Sequence, residues 1–104
     1  MAKQRGQRAR EVYRFKQPIE GSPLMIEVAI FEFSPTKENP DGVAYRLQLY
    51  ERASGETVLR YDFEPGKGHH RHLRGNEAVY EWQGIDQLLA DFRRDVELMK
   101  EGNL

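Results

Sequence analysis

All three histidines of the chain, His69, His70 and His72, stand within four positions of one another. Lys67 precedes them between two glycines, and Arg71 and Arg74 lie among and after them. Residues two apart on a strand share a face, so His70 and His72 are expected side by side, with His69 and Arg71 turned the other way. One of two neighbouring imidazoles can take a proton from a nucleophile while the other gives one to a leaving group. Lys67, Arg71 and Arg74 supply positive charge for a phosphate and for the charge that builds on it in the transition state. The set suits cleavage of an RNA backbone without a metal, with the 2′-hydroxyl as internal nucleophile. The same parity separates Arg71 from the face of His70 and His72 unless the segment is irregular.

Other readings of the segment stand beside this one. A histidine-rich polar loop can be solvated and carry no chemistry. His-x-His on a strand can supply two metal ligands, and Glu81 or Asp62 would have to be the third. Gly66-Lys67-Gly68 could cradle a phosphate with backbone N–H groups, but it lacks the spacing and the Ser/Thr of a P-loop, so a plain turn is expected there. A non-enzymatic module that contacts nucleic acid or a partner protein through the same basic segment is the competing class. The reading adopted needs neither metal nor cofactor.

The elements that must hold this segment follow from periodicity. Val12–Lys16 alternates apolar and basic side chains and reads as a short strand. Leu24–Phe33 reads as a longer, more central one, and Ser34–Gly42 as a loop. Val43–Arg52 alternates cleanly, and Thr57–Phe63 follows. With a loop of Ala53-Ser54-Gly55, Leu49 opposes Leu59, Leu47 opposes Tyr61, Tyr45 opposes Phe63, Gln48 opposes Arg60 and Arg46 opposes Asp62. A slip of one residue would ruin both faces. The last pair suggests an Arg46–Asp62 ion pair. Gly75-Asn76 then reads as a two-residue turn leading into a strand over Glu77–Trp82. In that register Arg74 opposes Glu77, His72 opposes Val79 and His70 opposes Glu81, which makes Glu81 the orienting carboxylate.

Ile85, Leu88, Leu89, Phe92, Val96 and Met99 follow the helical period within Gly84–Glu101. Asp86 suits the first turn, and Gly102-Asn103 ends the helix. Its apolar stripe needs a sheet face to cover, and Val43, Tyr45, Leu47 and Leu49 offer one. The expected fold class is α+β: an antiparallel β-sheet of about five strands with one C-terminal α-helix packed on one face.

Composition sets bounds. The chain has 104 residues, enough for one domain. A domain of this size gains from a partner or from pairing with a second copy. The chain has no cysteine, which excludes disulfides and thiolate chemistry. No apolar run approaches a membrane span and the N-terminus has no signal-peptide core, so the expected location is the cytoplasm. Residues 1–10 hold four basic and no acidic residues, against 12 basic and 17 acidic over 11–104. They read as a mobile basic arm ahead of a single domain over 11–104.

In order along the chain, Arg60-Tyr61-Asp62, Gly66-Lys67-Gly68, His70-Arg71-His72-Leu73, Tyr80-Glu81-Trp82 and the helix Gln87-Leu88-Leu89-Ala90-Asp91-Phe92 resemble the TumE toxin family of prokaryotic toxin–antitoxin modules. The resemblance spans residues 60–96. It marks Tyr61, Asp62, Lys67, His70, Arg71 and His72 as motif positions, and it implies a small helix-turn-helix antitoxin as partner. His69 departs from the family pattern, so no role is carried over to it. The candidate catalytic residues are therefore His70, His72 and Glu81. Lys67, Arg71, Arg74, Tyr61 and Asp62 are the candidate substrate contacts.

Overall fold

A computed structural model describes residues 9–104. Six strands run in chain order across one antiparallel sheet: β1 (Arg10–Pro18), β2 (Leu24–Glu32), β3 (Val43–Glu51), β4 (Thr57–Glu64), β5 (Gly68–Leu73) and β6 (Asn76–Val79). Among the described residues one helix, α1 (Ile85–Lys100), follows the sheet. The α+β expectation holds, with one strand more than "about five". Of the expected basic arm only Ala9 and Arg10 fall among the described residues, and Arg10 already begins β1, paired with Glu32.

The helix covers one face of the sheet. Leu88, Phe92 and Val96 pack with Val28, Ile30, Leu47, Leu49, Leu59 and Tyr61 into a single core. Leu47, Leu49, Leu59 and Leu88 are wholly buried. Truncating any of these leucines to alanine would cost about 2–5 kcal/mol through lost transfer energy and the cavity left behind. Asp86 in the first turn and Lys100 in the last complement the helix dipole.

The β3–β4 hairpin forms in the register that alternation dictates, with Arg46, Leu47, Gln48 and Leu49 opposite Asp62, Tyr61, Arg60 and Leu59. A bulge between Leu49 and Tyr50 then brings Tyr50 opposite Thr57, so the Arg52–Glu56 end of the expected ladder shifts. The ladder also stops at Arg46–Asp62 rather than continuing to Tyr45–Phe63.

The β5–β6 hairpin differs from expectation in a way that matters for the site. The turn is Arg74-Gly75, with φ of 48° and 87°. A two-residue turn of this hand needs two left-handed residues, and the glycine takes the second position, not the first. Leu73 therefore opposes Asn76, His72 opposes Glu77 and His70 opposes Val79. The partner of each residue moves by two, so every side chain keeps its face. Glu77 replaces Glu81 beside the histidines, and β6 ends at Val79, before Glu81 and Trp82.

Candidate active site

β5 divides its side chains between two environments. On the outer face, away from α1, His70 sits opposite Asp62 and His72 opposite Arg60 on β4, while Glu77 flanks from β6. His70 Nδ1 lies 3.2 Å from the Gly68 carbonyl oxygen. Only an N–H can donate there, so the proton is fixed on Nδ1 and Nε2 is left as the reactive nitrogen. That Nε2 faces Glu77 Oε2 at 3.6 Å. Lys67 Nζ lies 3.3 Å from the same carboxylate oxygen. The lysine holds the Glu77 carboxyl below its usual range, with smaller contributions from His72 and His70.

His72 has its own carboxylate. Its Nε2 is 3.5 Å from Asp62 Oδ1 and 3.4 Å from Arg60 Nη2. Arg60 Nε approaches Asp62 Oδ2 to 3.2 Å, an ion-pair contact that falls short of hydrogen-bond alignment and leaves this buried N–H without an acceptor. Asp62 thus pairs with Arg60 and His72, and not with Arg46 as cross-strand parity suggests. Among the described residues no three His, Asp or Glu side chains converge as a metal site would need.

The inner face is different in kind. Arg71 Nε donates to Asp95 Oδ2 at 2.9 Å and to the Tyr61 hydroxyl at 3.2 Å, and the Tyr61 hydroxyl donates to the same Asp95 oxygen. Asp95 is 4% exposed. Burial pushes the Tyr61 hydroxyl well above the usual tyrosine range, and its bond to Asp95 adds to this. Burial works against the Arg71 charge, but its bonds to Asp95 and Tyr61 outweigh that and raise its pKa. The trio ties sheet to helix.

His69, also on the inner face, stacks on Trp82 at 4.6 Å between ring centres. Its Nε2–H donates to Asp41 Oδ2 at 2.9 Å, so Nδ1 accepts from the Tyr45 hydroxyl at 2.8 Å. The loop carrying Asp41 is set by Gly42, whose φ is 61° and whose added Cβ would collide with the Phe33 carbonyl oxygen.

The sequence-derived set therefore divides. His70, His72, Lys67 and Asp62 come together on the outer face. Arg71 and Tyr61 lie on the inner face in the Asp95 trio. Arg74 bonds Met99 Sδ and the Leu104 carbonyl oxygen at the end of the chain, away from the histidines. Glu81 is exposed and outside the ladder. Sequence reasoning missed Glu77 and Arg60 at the outer cluster, and Asp95 inside. Gly75 suits either position of the turn, so the sequence alone does not bring Glu77 to the histidines. A carboxylate between Phe92 and Met99 in the apolar stripe signals Asp95.

The sequence model of one family, described as Toxin TumE, matches residues 4–99 of the chain. The chain belongs to the TumE toxin family. Membership makes it the toxin-type component of a toxin–antitoxin module, with an antitoxin as its partner. Neither a search of curated proteins nor one of solved structures returns a significant match. No helix among the described residues is long and apolar enough to cross a membrane.

Proposed function

We propose that this TumE-family toxin acts on RNA by metal-independent acid–base cleavage on the outer face of β5. The observation that carries the reading is the pair of imidazoles on one face, each with a separate carboxylate: Glu77 for His70 and Asp62 for His72. One imidazole removes the proton of the 2′-hydroxyl. The resulting oxygen attacks the adjacent phosphorus and the bond to the 5′-oxygen breaks. The second imidazole, in its protonated form, delivers a proton to that leaving oxygen. Lys67 and Arg60 flank the pair and stabilise the charge that grows on the phosphoryl oxygens. Arg71, Tyr61, Arg74 and Glu81 take no part in the step.

The antitoxin is of the helix-turn-helix type that the family resemblance implies, and a second copy of the toxin is a further partner. An RNA target and a chain without cysteine both fit action in the cytoplasm. The test is purified protein incubated with single-stranded RNA, with and without chelator. Cleavage that survives chelation is expected. Unchanged RNA in every lane, with RNA still bound, would move the reading to a binding module that uses the same face.

A further inference from the structure

The sheet forks at one end. Val43, Ala44 and Tyr45 of β3 remain paired with β2, and Phe63 and Glu64 of β4 remain paired with β5. Between β3 and β4, however, pairing stops at Arg46–Asp62. The fork is bridged on its inner side by His69, bonded to Tyr45 and Asp41 and packed against Phe63 at 4.8 Å between ring centres. On its outer side it leaves a hollow of about 350 Å³, within the size range of small-molecule sites.

The lining has the character of a base-binding site. Ala29 and Ala44 contribute small side chains, and Phe31 and Phe63 provide aromatic surface. Both rings are braced: Phe63 by His69, and Phe31 by the Arg14 guanidinium, 5.5 Å from its centre. Tyr45, Glu27 and Arg46 complete the lining. Gln48 Nε2 donates to Glu27 Oε1 at 3.0 Å, which fixes that carboxylate and leaves Oε2 uncommitted. Arg46 is exposed and makes no hydrogen bond or ion pair with the described residues.

The hollow is also in line with the histidines. Successive register pairs run Ala29–Arg46–Asp62–His70 straight across four strands. Strands spaced about 4.8 Å apart put the Arg46 and His70 backbones about 10 Å from each other, within reach of one single strand of RNA.

We infer that this hollow takes a nucleobase of the RNA substrate, with guanine preferred. Guanine presents adjacent N1–H and N2–H donors, which match a carboxylate held by Gln48. Its O6 and N7 acceptors match the two-pronged guanidinium of Arg46. Bases of single strands are characteristically held on aromatic side chains and read along their edges. The inference rests on RNA being the substrate of the outer face, and it names which nucleotide that face selects.

The test uses the His70→Ala/His72→Ala protein, which keeps every lining residue of the hollow and is expected not to cleave, and short fluorescent oligouridine RNAs with one central G, A, C or U. The G-containing RNA is expected to bind about tenfold tighter than the others. Glu27→Gln, on the rim, and Ala44→Leu, which fills the hollow, should each abolish that preference. Equal affinity for all four RNAs, or no binding to any, overturns the inference. Guanine preference in this protein, with no cleavage by the wild type, supports the hollow and counts against the acid–base reading instead.

Discussion

The inner face of β5 is bonded to the helix and the loop before β3, and its outer face is not, although the His69 and His70 side chains are equally buried at 10% exposure. His69 and Arg71 point inward. Both ring nitrogens of His69 are bonded, to Tyr45 and Asp41, and Arg71 Nε is bonded to Tyr61 and Asp95. His70 and His72, one residue along, face outward and meet carboxylates only at 3.5–3.6 Å. The difference follows from the period of two along a strand. The inner face looks at α1, where an unpaired polar atom is costly, so His69 and Arg71 are held there by hydrogen bonds. Among the described residues the outer face has no helix over it, and its two imidazoles are not locked into close ion pairs. Four consecutive residues of similar type thus serve two purposes, and residue type alone does not reveal which.

The contrast can be broken most decisively at the outer pair. His70→Ala/His72→Ala is expected to lower cleavage by a factor on the order of 10³ or more, since general acid–base groups are worth about 10²–10⁴ each. Induced expression of the double variant should leave growth unimpaired where the wild type arrests it. The fold should survive with a small loss of stability. A double variant as toxic as the wild type would place the chemistry elsewhere.

Inside, the largest effect is on stability. Asp95→Ala leaves the half-buried Arg71 charge and the Tyr61 hydroxyl without their acceptor. The expected loss is about 2–3 kcal/mol, below the full figure for a buried pair because Arg71 is partly solvated. Denaturant titration measures it. A variant that loses cleavage with no change in midpoint would erase the distinction between the faces.

Glu77→Gln should reduce cleavage about tenfold, since it removes the carboxylate that faces both His70 Nε2 and Lys67 Nζ. Glu81→Gln should leave the rate unchanged. The reverse ranking would restore the register in which His70 opposes Glu81.

The smallest effect sharpens the inner face. Tyr45, Tyr61 and Tyr80 all have hydroxyls raised above the free value of 10.0, chiefly by burial, with Asp95 assisting at Tyr61 and Asp91 at Tyr80. Groups raised in the folded state contribute stability that is present below the unfolded pKa and is lost as pH rises beyond it. Stability should therefore begin to fall above about pH 10, and less steeply in Tyr61→Phe. A melting temperature flat to pH 11 or so in the wild type would contradict this.

Much of the frame was legible because strand parity and helix period are strong signals. Leu47, Leu49, Leu59 and Tyr61 pair as alternation requires, and Leu88, Phe92 and Val96 bury the face that the 3.6 period selects. The split of His69 and Arg71 from His70 and His72 was legible for the same reason. The Glu77 position was not, because Gly75 suits either position of a left-handed turn, and only the φ of Arg74 decides between them. The Asp62 partnership was not legible either. A cross-strand neighbour such as Arg46 competes with Arg60, two residues away on the same face of β4, and side-chain reach settles the outcome. The fork between β3 and β4 leaves no mark in the alternation, which runs unbroken through Tyr45 and Phe63.

The most direct test of the central claim is the pH dependence of RNA cleavage for the wild type, His70→Ala and His72→Ala. An acid and a base on one face predict a bell-shaped wild-type profile, with each single variant losing a different limb. Profiles that keep both limbs in both variants would show that proton transfer does not pass through the outer face of β5.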